Sequence, residues 1–138
     1  MYKNLFRGKR KDNGEWIKGN LLEDVESGIC AIVSYVNLGG DIHDLSEICI
    51  FDVIPETVGR YIGLTDRNRV KIFEGDIVYR VSEYPSPTFI VLWDNKNAAW
   101  YLRANGYTTD FYHYFGDDFK IIANIHDNPE LLREASQV

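Results

Sequence analysis

The chain of 138 residues is poor in the side chains that most often carry metal or redox chemistry, with three histidines and two cysteines. His43, His113 and His126 form no HExxH pattern, and Cys30 and Cys49 form no CxxC pair. A zinc site or a disulfide framework needs closely spaced ligands or more cysteines. The sequence therefore predicts no metal site, and both cysteines are expected to be buried free thiols.

Motifs of nucleophilic catalysis and phosphate binding are missing as well. No serine stands in a GxSxG elbow, and Gly39 and Gly40 lack the GxxxxGK(S/T) frame of a phosphate loop. The neighbouring acids Asp117 and Asp118 would point to opposite faces of a strand, so they do not form an acid–base pair. We therefore expect a protein that is not an enzyme and that uses no cofactor.

Long hydrophobic runs are also absent. The longest apolar run, residues 28–38, has about half of the ~20 residues that a transmembrane helix needs, and it is strand-like. Near the N-terminus only Leu5 and Phe6 are strongly apolar, too few for the core of a signal peptide. The expected location is the cytoplasm, without membrane attachment.

Positive charge is in short supply, because 15 basic residues stand against 21 acidic ones and give a net charge of −6. The basic residues Lys3, Arg7, Lys9, Arg10 and Lys11 are clustered at the N-terminus, which leaves the rest of the chain strongly acidic. An acidic body repels a phosphate backbone, and duplex binding normally uses a basic face. The charge balance disfavours nucleic acid as a partner, although the basic N-terminal edge leaves that alternative open.

Short strand-like segments closed by turns fill most of the chain. Residues 76–82 and 118–125 alternate apolar and polar side chains, which is typical of half-buried strands. Residues 15–22, 28–36 and 46–53 are strand-like too. The first part of PETVGRYIGLTDRNRVKIFEGDIV, before the turn at Asp66, is interpreted as a connector.

The expected fold is mainly β. We predict two small antiparallel β subdomains, residues 1–57 and 58–138, the second like an SH3-like barrel with a short C-terminal α-helix. Asn128-Pro129-Glu130 predicts the start of that helix, because asparagine caps helices and proline suits the first helical position.

The segment GLTDRNRVKIFEGDIV combines a predicted turn with a predicted bend. Asp66-Arg67-Asn68 favours a turn, since Asp and Asn side chains bond to nearby backbone groups. Gly75 is expected to adopt a backbone conformation that side chains with a Cβ avoid, immediately before the strand that starts at Asp76.

Three stretches carry a family resemblance: FRGKRKDNGEWIKGNL, PETVGRYIGLTDRNRVKIFEGDIV and ANIHDNPELL. Through them the chain resembles the YopX-like family of bacteriophages and prophages of low-GC bacteria. The resemblance covers nearly the whole chain. It implies a small β-rich protein, sometimes self-associating, with no established catalytic residues to carry over. Its structural motif here includes Gly63, Asp66, Asn68, Glu74, Gly75 and Asp76. Residues 123–126, Ala-Asn-Ile-His, depart from the glycine-containing aliphatic pattern that the family often has there.

Two groups of side chains are candidate interaction surfaces. The first is aromatic and comprises Tyr107, Phe111, Tyr112 and Tyr114. The second is basic and comprises Arg60, Arg67, Arg69 and Lys71. Aromatic residues favour a protein interface, while the core is the simpler destination for them; the basic group suits nucleic acid, an acidic subunit surface or a solvated hairpin.

The leading hypothesis is a phage or prophage accessory protein: a non-enzymatic interaction module that self-associates, with a host or phage protein as a further partner. The alternative hypothesis is a nucleic-acid-binding small-barrel protein.

Overall fold

The computed structural model describes residues 5–37, 46–83, 85–111 and 116–131. It is mainly β, with two antiparallel sheets and one short helix near the C-terminus, which confirms the predicted fold class. Contacts divide the chain into two units, Met1–Tyr61 and Ile62–Val138.

The strands of the first unit lie in the order β4-β3-β2-β1-β5, within a six-stranded order that has one further strand after β5. They are β1 (Phe6–Lys9), β2 (Trp16–Asp24), β3 (Ile29–Asn37), β4 (Ser46–Asp52) and the first part of β5 (Gly59–Thr65). The segment interpreted as a connector therefore contains strand β5. It pairs with β1 through Phe6 and Arg60 and through Arg7 and Gly59.

Strand β2 changes partner in the middle. Residues 16–19 pair with β1, and residues 20–24 pair with β3. Gly19 stands at the change, where a Cβ would overlap the carbonyl oxygen of Val33. Glycine is needed here because the two backbones approach too closely for any side chain.

The core of the first unit is small. Cys30, Ile32 and Val53 are buried together. Their partly buried neighbours are Phe6, Ile17, Leu21 and Val58. An antiparallel bridge between Arg10 and Val53 links the residues after β1 to those after β4, next to this core.

The second unit contains the end of β5 and six further strands: β6 (Lys71–Phe73), β7 (Asp76–Arg80), β8 (Thr88–Asp94), β9 (Ala99–Ala104), β10 (Tyr107–Asp110) and β11 (Phe119–Asn124). Five of them form a sheet in the order β10-β9-β8-β7-β11. The order ends at β10 on one side and at β11 on the other. Among the described strands this sheet is therefore open, and the predicted barrel closure is absent.

Both faces of the five-stranded sheet are covered. One face carries Val78, Phe89, Val91, Leu102 and Phe119 in the largest core cluster of the described residues. On the other face, Ile77 and Ile90 are fully buried, with Leu92, Ala123, Ile125 and Leu131 against them. A helix begins at residue 129, as the sequence predicts, and its described part ends at 131. The predicted continuation to Ala135 lies outside the described residues.

Candidate protein-interaction surface

The outer face of the first sheet is apolar and exposed. Tyr35 is 69% exposed, Ile48 63% and Ile50 62%, and Leu22 and Ile29 are each 46% exposed. Side chains of this size are mostly buried in monomeric domains. Their concentration on one sheet is the most distinctive surface feature of the described chain.

The strand registers show that these side chains are neighbours. Val33 lies opposite Ile50, Tyr35 opposite Ile48, and Leu22 opposite Ala31. Directly opposite residues share a face, and alternate residues along a strand share it too. We call Leu22, Ile29, Val33, Tyr35, Ile48 and Ile50 the outer face.

Polar residues lie at the border of the outer face. Asn20 stands opposite Val33, Asp24 opposite Ile29, and Asp52 opposite Ala31. An apolar centre with a polar rim is the usual composition of a protein–protein interface.

The predicted aromatic group is divided between core and surface. Phe111 is only 3% exposed, and its ring centroid lies 5.3 Å from that of Phe119. Tyr107 is exposed, although its ring makes an edge contact with Phe89 at 6.2 Å. Phe111 thus packs in the core of the second unit. Tyr112 and Tyr114 lie outside the described residues.

The predicted basic group is spread over both units. Arg60 is half-buried on β5 in the first unit. Arg67 and Arg69 are exposed in the turn before β6, and Lys71 is half-buried on β6 itself. The turn brings Arg67 and Arg69 to the surface of the second unit.

Asp66 organises that turn. Its carboxylate accepts hydrogen bonds from Asn68 N at 2.8 Å, Val70 N at 2.9 Å and Ile121 N at 3.1 Å, while the residue is 3% exposed. Arg69 is held at a φ of 64°, a conformation that non-glycine residues seldom adopt. The carboxylate therefore holds the turn together and attaches it to β11.

The neighbouring motif residues have similar structural contacts. The buried Asp76 carboxylate accepts a hydrogen bond from Phe73 N at 2.8 Å. Gly75, at a φ of 89°, donates its N–H to Val91 O and accepts from Ile125 N. Glu74 is half-buried beside them, and Gly63 is exposed on β5.

Most of the N-terminal basic residues are occupied by contacts within the first unit. Arg7 is 9% exposed and stacks on the Trp16 ring at 4.7 Å, and Lys9 lies over the same ring at 5.5 Å. Arg10 forms a salt bridge with Asp12 at 2.6 Å. The positive charges of these three residues are therefore engaged in part by neighbouring side chains of the same unit. Lys3 lies outside the described residues.

The two cysteines are free thiols in different surroundings. Cys30 is buried, and desolvation raises the pKa of its thiol, with a further contribution from the nearby negative charge of Glu23. Cys49 is half-buried on β4, so the expectation that both thiols are buried is wrong for Cys49. Strand β4 is the first strand in the order of its sheet, and its position there exposes that side chain in part.

Within the described ranges no three His, Cys, Asp or Glu side chains come together as a metal site. His43 and His113 lie outside those ranges. The same ranges contain no helix that is long and apolar enough to cross a membrane.

Reasoning from the sequence missed the outer face. The signal was present in residues 29–35, ICAIVSY, where apolar side chains occupy both faces of the strand, and again in Ile48 and Ile50. A strand that is apolar on both faces normally has something against each of them.

Comparison with known proteins gives the family. The sequence model of the family described as YopX protein matches residues 5–133. The crystal structure of protein EF1440 from Enterococcus faecalis is similar with a TM-score of 0.60, at 24% identity, over 92% of this chain and 96% of that chain. At this identity the likeness shows a shared fold alone. No curated protein matches the chain. Since the family model spans nearly its whole length, the chain belongs to the YopX protein family.

Proposed function

We propose that the chain is a non-enzymatic protein-interaction module that self-associates, an accessory protein of a bacteriophage or prophage acting in the host cytoplasm. The observation that carries the proposal is the outer face. Contiguous apolar patches beyond a few hundred Å² are rare on monomers and mark interaction sites. Covering this face with a protein surface removes apolar area from water at roughly 25 cal/mol per Å².

The non-enzymatic part of the proposal is supported by what the buried ionisable groups do. The carboxylates of Asp66 and Asp76 accept hydrogen bonds from backbone N–H groups. The raised pKa of Cys30 keeps its thiol protonated at neutral pH, whereas a cysteine nucleophile needs a thiolate. These groups stabilise the fold and are poorly placed for catalysis.

The experiment is multi-angle light scattering of the full chain over a range of concentrations. Self-association predicts a mass above that of the monomer. In Tyr35→Glu the charge lies within the outer face and is expected to reduce the mass towards that of the monomer, because burial of an unpaired carboxylate is costly. Val25→Glu is the matched control, since Val25 is 86% exposed in the turn after β2, and it should leave the mass unchanged. A wild-type chain that is monomeric at every concentration would contradict the self-association.

Nucleic-acid binding is the second candidate, favoured by the exposure of Arg67 and Arg69 at one turn. The net charge of −6 and the internal contacts of Arg7 and Arg10 count against it. Binding through these arginines would weaken steeply with added salt. An absence of any mobility shift with DNA or RNA at low salt would exclude this candidate, and a shift abolished by Arg67→Glu with Arg69→Glu would support it.

A further inference from the structure

The free edge of β4 indicates how two copies of the chain could pair. Strand β4 stands at the end of the first sheet, so among the described strands only the edge that faces β3 is paired. An unpaired edge is a row of backbone donors and acceptors, which is a template for another strand.

The register of β3 and β4 shows which backbone groups point outwards. Val53 N donates to Cys30 O at 3.1 Å, and the pairing continues from there without a shift to Asn37 and Ser46. Since antiparallel bonds alternate, odd-numbered residues of β4 direct their backbone groups towards β3. The even-numbered residues direct theirs to the free edge.

One end of that edge is already occupied. Lys11 N donates to Asp52 O at 2.9 Å, in the segment where Arg10 and Val53 form their bridge. In the middle of the strand, the N–H and C=O groups of Ile48 and Ile50 point to the edge that no other described strand pairs with. Their side chains are the exposed apolar ones of the outer face.

Strand β4 lacks three common protections of an edge strand, and its two charged residues, Glu47 and Asp52, lie towards its two ends. Edge strands in monomers often carry lysine, proline or a bulge that prevents pairing with another chain. The sequence of β4, SEICIFD, contains neither lysine nor proline, and its register with β3 has no bulge.

We propose that β4 of one copy pairs antiparallel with β4 of a second copy, about a two-fold axis at Cys49, and this rests on the proposed self-association. In this register Ile48 lies opposite Ile50 of the partner subunit, and Ile50 opposite the partner's Ile48. The two pairs exchange four N–H···O=C bonds and use all the outward groups of both residues. A two-fold axis also makes the contact self-complementary, so the assembly closes as a dimer.

Side chains on both faces suit this register. The axis keeps each outer face on the same side, so Ile48 and Ile50 of the two copies form one continuous apolar strip. On the other face, Glu47 lies opposite Phe51 of the partner subunit. The Arg10 guanidinium lies over the ring of Phe51, 4.4 Å from its centroid. The carboxylate of Glu47 in one copy therefore approaches the positive charge of Arg10 in the other.

Cys49 provides a chemical test of this register, because it lies opposite Cys49 of the partner subunit. The two residues form a non-hydrogen-bonded pair, in which Cα atoms are about 4.5 Å apart. Diamide, which takes two electrons and two protons from a pair of thiols, should convert the wild-type chain to a covalent dimer on a non-reducing gel. Cys30→Ser should still cross-link, whereas Cys49→Ser should not. Cross-linking that depends on Cys30, or none in a sample that light scattering shows to be oligomeric, would overturn the proposal.

Ile50→Pro tests the backbone pairing without the cysteine. Proline removes an N–H that points to the free edge, so the bonds between β3 and β4 are retained. The dimer dissociation constant should rise at least about tenfold, since two intermolecular bonds are lost. Ile50→Thr keeps the N–H and is the matched control, with a smaller expected effect; circular dichroism checks that each variant folds.

The outcomes separate this inference from the proposed function. An oligomer that is disrupted by Tyr35→Glu, but that neither cross-links at Cys49 nor responds to Ile50→Pro, refutes pairing through β4 and leaves self-association standing. A wild-type chain that is always monomeric refutes both.

Discussion

The sheets of the two units are built from similar short strands but are covered differently. The five-stranded sheet of the second unit has buried apolar side chains on both faces, around Phe119 on one and Ile77 on the other. In the first unit, Ile32 faces a small core, while Tyr35, on the opposite face of the same strand, is 69% exposed. The second unit thus covers both faces of its sheet with its own side chains, whereas large apolar side chains of the described first unit stay exposed on one face of its sheet. Because of that contrast, the proposed interaction surface lies on the first unit.

The largest expected effect comes from breaking the core of the second unit. Phe119 is fully buried, with ring centroids 5.3 Å from Phe111 and 6.4 Å from Phe89. Phe119→Ala should lower the free energy of unfolding by about 3–5 kcal/mol in urea titrations followed by near-UV circular dichroism. Ile122→Ala on the same strand, where the side chain is 46% exposed, should cost less than about 1 kcal/mol. Equal losses would mean that the second unit is not held by this core.

Asp66→Ala should cause the second largest loss in the free energy of unfolding. The substitution leaves the N–H groups of Asn68, Val70 and Ile121 without their acceptor, at a cost of about 2–3 kcal/mol in the free energy of unfolding. Asp66→Asn keeps an amide oxygen as acceptor and should lose less. If alanine and asparagine were equally mild in thermal unfolding, the turn would be held by something other than this carboxylate.

Gly19→Ala tests the first unit through its backbone. The added Cβ would overlap Val33 O, so β2 and β3 must separate at the point where β2 changes partner. We expect a loss of about 1–3 kcal/mol, measured as a lower Tm. Asn20→Ala, at the exposed neighbouring position, is the control. A Tm equal to the wild type would show that this sheet tolerates the separation.

The smallest effect concerns a polar contact of the second unit and depends on pH. Partial burial raises the pKa of the Asp118 carboxyl, but hydrogen bonds from Ser82 and Arg80 lower it by more, so the pKa lies below its ordinary value. Because the folded-state pKa is depressed, the stabilisation is present above pH of about 4 and is lost as the pH falls through the folded-state pKa.

Asp118→Asn should therefore cost up to about 1 kcal/mol at pH 7 and much less at pH 2–3, measured as urea midpoints at each pH. Asp117→Asn, at the exposed neighbour, should have little effect at either pH. If Asp118→Asn lowered the stability equally at both pH values, the effect would come from altered packing or hydrogen-bond geometry and not from the carboxylate charge.

The local parts of the fold were predictable because they depend on neighbouring residues. Residues 76–82 and 118–125 were predicted as strands from alternation, and the structure has Asp76–Arg80 and Phe119–Asn124. The helix begins at residue 129 because proline restricts φ to helical values there. Strand β5 was missed because it is defined by its pairing with β1, a contact between distant parts of the sequence.

The surface was less predictable than the strands. Phe111 belongs to a dense aromatic segment, yet only packing against Phe119 places it in the core. Ile48 and Ile50 look in the sequence like ordinary strand interior residues. Their exposure of about 60% is visible only in the structure, where β4 stands at the end of its sheet.

By itself the sequence determined the β-rich class, the turn chemistry of the 66–76 segment, the start of the helix and the family resemblance, since each rests on local backbone preferences or on an ordered motif. Only the tertiary structure decided which apolar side chains are buried, because burial depends on what packs against each face and edge of a sheet. Ile77 and Ile48 both stand in short apolar strands. Ile77 is fully buried between strand neighbours and the 123–131 segment, whereas Ile48 is 63% exposed in β4, which has a described strand on one side only.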